Sequence, residues 1–164
     1  MNLIACVDNN WGIGYKGRLL IDIPEDKRLF KELTLGKVVV GGRKTMESFP
    51  GGTTLENRTN MILTHKQDYS YYDAVIVHSV EEAIEELGYY DEEDIFVIGG
   101  EEIYRKFLPY CTKAYITKVD FTYSADAHMV NLDKDPEWEM TMDSDEYTYY
   151  DMCYEFTVYE RVSK

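Results

Sequence analysis

The chain has 164 residues, 45% hydrophobic and 29% charged, which is enough apolar material for a continuous core and excludes global disorder. Its formal net charge of −14 opposes binding to duplex nucleic acid or an anionic membrane, because affinity for phosphate surfaces comes from clustered Lys and Arg. No run approaches the roughly 18 apolar residues of a membrane span, and the first residues lack a basic stretch ahead of a long apolar one, so a soluble cytoplasmic protein is expected.

Short β-branched runs alternate with amphipathic stretches, the pattern of an α/β domain with a largely parallel sheet. In chain order, strands are expected over residues 3–7, 37–40, 60–64, 74–78, 94–98, 114–121 and 154–162, with helices over 24–33, 43–48, 80–87 and 101–108. No repeat or Pro/Gly/Ser linker divides the chain, so residues 1–164 read as one domain. The glycine-rich stretch from Asp8 to Gly17 follows the first strand and reads as a long turn or a flexible lid over a cleft. Pro24 suits a first helical turn. Asp26, Phe30 and Leu33 then share one helical stripe, which turns a carboxylate inward among apolar neighbours, whereas Glu25 suits the helix start. An inward Asp26 would offer two adjacent acceptors to a cyclic amidine such as a pterin.

Two strand–glycine–helix junctions follow. The first is Val38-Val39-Val40-Gly41-Gly42-Arg43-Lys44-Thr45, and the second is Ile98-Gly99-Gly100-Glu101-Glu102-Ile103-Tyr104. Each leaves backbone N–H groups unpaired at a turn, and the first adds two cations. Neither matches a Walker loop or the G-x-G-x-x-G fingerprint, and tight packing of strand against helix explains either alone. Together they suit a ligand with separated phosphates.

Between them, His65 could add positive charge, while His78 and His128 read as surface or satisfied residues. Ser79 with Glu82 reads as a capping box, Gly88 as a left-handed C-terminal cap, and Pro109 as the stop of the last helix. Residues 133–160 carry ten acids against Lys134 alone and read as outer strands with a solvated acidic face. Cys6, Cys111 and Cys153 form no CxxC pair or metal-ligand rhythm, so reduced, mostly buried thiols and no metal site are expected.

In order and spacing, Leu3-Ile4-Ala5, Gly12-Ile13-Gly14, Ile23-Pro24-Glu25-Asp26 with Phe30 and Thr34, Gly42-Arg43-Lys44-Thr45-Met46-Glu47-Ser48, Asn57-Arg58-Thr59-Asn60, Val97-Ile98-Gly99-Gly100 with Tyr104, and Ile116-Thr117 before Asp126 resemble the dihydrofolate reductase family over almost the whole chain. The resemblance implies a central mixed, mostly parallel sheet of about eight strands flanked by about four helices. It also implies a cleft holding NADPH beside dihydrofolate, with antifolates as inhibitors, in a monomer. By that similarity Asp26 anchors the pterin with Thr117. Ile4, Ala5, Phe30, Phe49, Leu55 and Ile98 line the substrate pocket, and Arg58 holds the glutamate tail's carboxylate. Gly42, Arg43, Lys44, Thr45, Thr64 and His65 receive the adenosine half of NADPH. Gly99, Gly100, Glu101, Glu102, Ile103 and Tyr104, with Ile98, border the diphosphate and nicotinamide, which Ala5, Ile13 and Gly14 edge.

Two departures stand out. Leu20 and Ile21 occupy the place of the family's Pro-Trp, so the catalytic station of Asp26, Ile21 and Thr117 lacks the indole that helps fix a water. Asp126-Ala127-His128-Met129-Val130 has lost its usual Thr and aromatic-Pro character, which implies a looser contact under the lid. A related pterin or pyrimidine reductase, or a non-catalytic nucleotide- or pterin-binding module, stays open as an alternative, and Arg58 separates the first of these from a folate enzyme.

Overall fold

The structure is a computed structural model that describes residues 1–162. Twelve strands and four helices follow one another along the chain. They are β1 (Asn2–Val7), β2 (Gly12–Tyr15), β3 (Arg18–Leu19), α1 (Pro24–Thr34), β4 (Val38–Gly42), α2 (Arg43–Glu47), β5 (Thr59–Leu63), β6 (Val75–Val77), α3 (Val80–Leu87), β7 (Ile95–Gly99), α4 (Glu101–Phe107), β8 (Lys113–Val119), β9 (Ala127–His128), β10 (Trp138–Asp143), β11 (Tyr147–Tyr149) and β12 (Met152–Arg161).

A nine-stranded sheet runs in the order β10-β12-β8-β1-β7-β4-β5-β6, with β11 pairing on β12. The five contacts from β8 through β1, β7, β4 and β5 to β6 are parallel. Those that β12 makes with β8, β10 and β11 are antiparallel. The central strands read as continuous apolar runs because helices cover both faces: Leu3, Val7, Val39, Val40, Val97 and Ile116 are each 1% exposed or less. Burying each such side chain is worth about 1.5–3 kcal/mol.

Period-2 alternation divides β1 between two cores. Leu3, Ala5 and Val7 join Val97, Phe107 and Ile116, while Ile4 joins Val39, Met46, Ile62, Phe96 and Ile98 on the other face. A third cluster gathers Ile21, Ile23, Val119 and Tyr154.

Helix boundaries follow local chemistry. Pro24 stands in the first turn of α1. The Ser79 hydroxyl accepts from the Glu82 N–H at 3.0 Å, and the Glu82 carboxylate accepts from the N–H of His78, one residue before the cap. Gly88 keeps right-handed helical angles, so the expected left-handed cap is absent there; its N–H is spent on the carbonyls of Ile84 and Glu85. The last helix ends at Phe107, before a short turn holding Pro109.

The stretch after β1 is more ordered than its glycine content suggests. Asp8, 1% exposed, accepts from the N–H groups of Asn10 and Gly12 through Oδ1 and from that of Tyr123 through Oδ2. β2 then pairs with β3 and β9 in a second, three-stranded sheet. At residues 126–130, where a looser contact is expected, three hydrogen bonds join the stretch after β1. The Asp126 N–H donates to the Gly14 carbonyl, its Oδ2 accepts from the Lys16 N–H at 3.0 Å, and the Met129 N–H donates to the Trp11 carbonyl. Two of these three bonds join backbone to backbone and do not need the family's usual side chains. Of the acidic segment, β10 to β12 do form outer strands, yet Tyr154 and Tyr159 are 4% and 1% exposed, so one face of that segment is core. No helix among the described residues is long and apolar enough to cross a membrane.

Candidate active site

The site is assembled at the carboxyl ends of the parallel strands, where open α/β sheets bind ligands. On α1, the 3.6-residue period carries Asp26, Phe30 and Leu33 to the side facing the sheet. Phe30 and Leu33 pack on the cluster containing Ile4 and Ile98, together with Phe49 and Leu55. The rings of Phe30 and Phe49 lie 6.1 Å apart between centroids. Thus Ile4, Phe30, Phe49, Leu55 and Ile98 meet as one apolar wall. Ala5 faces the opposite core, as strand alternation requires.

Asp26 closes the end of this wall. Its Oδ1 accepts from the Thr117 hydroxyl of β8 at 2.6 Å. Burial pushes its pKa above the usual carboxylate value, against the smaller opposing effect of the hydrogen bond from Thr117. Cys6 is a site residue that sequence reading missed, because a buried thiol on a core strand looks like packing. The only signal was its place two residues after Ile4 on the same strand face. Ile21 is 8% exposed and packs with Ile23, Val119 and Tyr154, so it contributes wall and no polar atom.

Arg58 is presented at the mouth by a loop that the Asn60 side chain holds shut. Asn60 Oδ1 accepts from the Leu55 N–H, and Nδ2 donates to the carbonyls of Leu55 and Arg58, each at 3.0 Å. The guanidinium donates to the Thr34 hydroxyl at 3.2 Å and to the Glu56 carbonyl at 2.9 Å. Both partners are neutral, which leaves its charge for another acceptor.

The two glycine junctions lie side by side, since Gly41 of β4 is the register partner of Gly99 of β7. Gly99 has φ +111°, and a Cβ there would come within 2.9–3.0 Å of the Tyr104 ring and hydroxyl. Tyr104, buried, places its hydroxyl 2.7 Å from the Ile4 carbonyl and 3.0 Å from that of Ile98, fixing the ring between β1 and β7. A Cβ on Gly100 would stand 3.4 Å from Thr45 Oγ1, so the second turn faces the first across a narrow gap. Neither Gly42 nor Gly100 caps its helix with a side chain, and the first amides of both helices stay available to an acceptor.

The charges around this gap divide. Glu101 turns away and accepts from the His128 N–H at 2.6 Å, and Glu102 lies 3.5 Å from Arg105 and 3.9 Å from Lys106. Arg43 pairs with Glu47 at 3.0 Å, and Glu47 also accepts from the Tyr69 hydroxyl at 2.5 Å. Lys44 and His65 are exposed. Thr64 is buried at the end of β5, where its carbonyl lies 2.9 Å from Nδ1 of His78, so that histidine is satisfied internally. Ile13 packs on the core below β2, and at Gly14 a Cβ would stand 3.2 Å from the Arg18 carbonyl.

The fold is thus an α/β sheet with a partly buried carboxylate at the end of an apolar wall and two strand–glycine–helix turns side by side. The sequence model of the family described as dihydrofolate reductase matches residues 1–161. The chain is 33% identical over 165 aligned residues to the dihydrofolate reductase of Staphylococcus haemolyticus, covering 99% of this chain and 96% of the relative. To that of Bacillus subtilis it is 32% identical, covering 98% and 94%. The solved dihydrofolate reductase from Enterococcus faecalis, in complex with NADP(H) and RAB-propyl, superposes with a TM-score of 0.84 at 29% identity, covering 99% of this chain and 96% of that one. The chain belongs to the dihydrofolate reductase family. Its activity is the NADPH-dependent reduction of dihydrofolate.

Proposed function

We propose that the cleft between α1 and the sheet binds 7,8-dihydrofolate with its pterin on Asp26, and that the observation carrying this is the Asp26–Thr117 hydrogen bond set into an otherwise apolar wall. A carboxylate there presents two adjacent acceptors to the pterin's 2-amino group and N3. Thr117 fixes its rotation. Ile4, Phe30, Phe49, Leu55 and Ile98 exclude water around the ring and the benzoyl group, and Arg58 takes the carboxylate of the glutamate tail. The carbonyls of Ile4 and Ile98, tied by Tyr104, frame the far edge of the pterin.

The residues around the glycine turns fit NADPH. Gly99 and Gly100 bring the backbone close to Tyr104 and Thr45 at the start of α4, where a diphosphate would meet main chain, and the nearby carboxylates of Glu101 and Glu102 are engaged elsewhere. Gly42, Arg43, Lys44, Thr45, Thr64 and His65 would hold the adenosine half, with Arg43, Lys44 and His65 near its 2′-phosphate. Short charge-assisted bonds from such residues outweigh the field of a −14 chain that salt screens over about 8 Å. Ile98, Ile103 and Tyr104, with Ala5, Ile13 and Gly14, would border the nicotinamide. When bound, NADPH supplies a hydride from nicotinamide C4 to pterin C6.

The protein's own part is positioning and electrostatics. Asp26 orients and polarises the ring and does not reach N5, which takes its proton from water. Ile21 packs as apolar wall and offers that water no polar atom. The same reading makes the enzyme a cytoplasmic monomer and an antifolate target; free thiols at Cys6, Cys111 and Cys153 suit a reducing compartment, and sedimentation with NADPH bound would test the monomer.

The test is the fall in nicotinamide absorbance when the protein meets NADPH and dihydrofolate, run beside Asp26→Asn and with NADH. Turnover that prefers NADPH and depends on Asp26 supports the reading. Tight NADPH binding without turnover of dihydrofolate would overturn it.

A further inference from the structure

A chain of three side chains crosses from the first glycine turn to the loop between β5 and β6. Arg43 Nη1 lies 3.0 Å from Oε1 of Glu47, one turn further along α2. With the cation on the N-terminal side, such an i,i+4 pair is the weaker of the two orientations. The other carboxylate oxygen, Oε2, accepts from the Tyr69 hydroxyl at 2.5 Å, from a residue 22 positions away and four beyond His65. The Tyr69 ring is held in place: it packs with Tyr71 on the apolar cluster of Met46 and Ile62, the two tyrosine planes 11° apart with centroids at 6.5 Å. The Thr54 hydroxyl donates to the Asp73 carboxylate at 2.6 Å and ties down the far end of the same loop. Burial, with the bond to Glu47, pushes the Tyr69 hydroxyl up to about 12, so it stays protonated and remains a donor at neutral pH.

We propose that Tyr69 is a positioning residue that sets the preference for NADPH over NADH: by occupying one oxygen of Glu47 it limits that carboxylate to a single bond with Arg43 and leaves the rest of the guanidinium fork to the 2′-phosphate. The proposal rests on the reading of Arg43 as a ligand of that phosphate. A carboxylate free to turn beside an arginine closes on it with both oxygens, which is the stronger arrangement. Arg43 held in that way would meet the phosphate as half of a neutralised pair. With Oε2 taken by Tyr69, only Oε1 reaches Arg43, and among the described residues the guanidinium makes no other hydrogen bond. Its remaining N–H donors can then serve phosphate oxygens, while the single bond to Glu47 keeps the fork aimed. NADH carries a neutral hydroxyl in place of the phosphate and gains little from a free guanidinium. The consequence of Tyr69 is therefore a difference between two cofactors.

The experiment is equilibrium binding of NADPH and of NADH, measured by calorimetry on the full-length protein, its Tyr69→Phe and Glu47→Gln variants, the double variant and Arg43→Ala. Tyr69→Phe keeps the ring and removes only the hydroxyl, so it should weaken NADPH about fivefold, one hydrogen bond's worth, and leave NADH unchanged. In the Glu47→Gln background a neutral amide cannot clamp the guanidinium, and there the same change should cost neither cofactor anything. A ring that merely packs the loop would weaken both cofactors alike or neither, and either result overturns the proposal. So does a Tyr69→Phe effect that persists undiminished beside Glu47→Gln. Arg43→Ala tells the two levels apart: a preference for NADPH that it leaves intact counts against Arg43 as the phosphate ligand, whereas a preference lowered by Arg43→Ala and untouched by Tyr69→Phe counts against Tyr69 alone.

Discussion

The hydroxyl of Thr117 donates to Oδ1 of Asp26 across 2.6 Å, joining β8 to the first turn of α1 beside an apolar wall. The folded protein holds the Asp26 proton more tightly than an unfolded chain would, because burial raises its pKa. The associated stability is therefore complete below the ordinary aspartate range, about 4, and is lost as pH rises through the folded-state value. Asp26→Asn should unfold at a higher urea concentration than the parent at neutral pH, with the difference shrinking in acid. Turnover should move the other way, falling on the order of a hundredfold at neutral pH and much less in acid, where the substrate arrives protonated. A loss of activity equal at all pH values would make Asp26 structural.

Arg58 carries a charge whose hydrogen-bond partners, Thr34 and the Glu56 carbonyl, are neutral. On the proposed reading a substrate carboxylate would complete the pairing. Steady-state kinetics of Arg58→Ala should show KM for dihydrofolate raised about 10- to 100-fold, the worth of a charge-assisted bond, with kcat changed little because the contact is made equally in ground and transition states. An unchanged KM would favour a substrate without a carboxylate tail.

Glu101 ties α4 to β9 through the His128 N–H at 2.6 Å, and β9 in turn pairs with β2. Glu101→Ala removes an acceptor worth about 1 kcal/mol at a partly exposed site. Hydrogen exchange at the His128 amide should quicken about fivefold, whereas Glu101→Gln, which keeps an acceptor oxygen, should leave it near the parent rate. Equal rates in all three proteins would mean that β9 is held by β2 alone.

Gly99 has no room for a side chain. With φ at +111° and the Tyr104 ring 2.9 Å from any Cβ, and with that ring fixed by its hydroxyl between two carbonyls, Gly99→Ala should cost about 2 kcal/mol or more. Urea denaturation measures this, and a loss under about 0.5 kcal/mol would show that Tyr104 yields easily.

Much of this was legible in the sequence for a physical reason. A strand buried on both faces must be apolar throughout, so the runs of β1, β4, β5, β7 and β8 declare themselves, and a helix with one wet face must repeat every 3.6 residues, which turned Asp26 inward beside Phe30 and Leu33. Of the glycine pairs, Gly99 takes a φ of +111° that side chains rarely adopt, while Gly42 and Gly100 take ordinary negative φ. Contacts between residues far apart in the chain leave no local trace. Asp8 orders the stretch after β1 through Tyr123, 115 positions away; Asp126 holds that stretch through its N–H on Gly14 and its carboxylate on the Lys16 N–H; and Glu101 leaves the glycine turn for His128. The register of β1 against β8 set Cys6 beside Thr117. Which side chains stand beside Asp26 depends on which strand lies next to which, and that is decided only when the sheet is assembled.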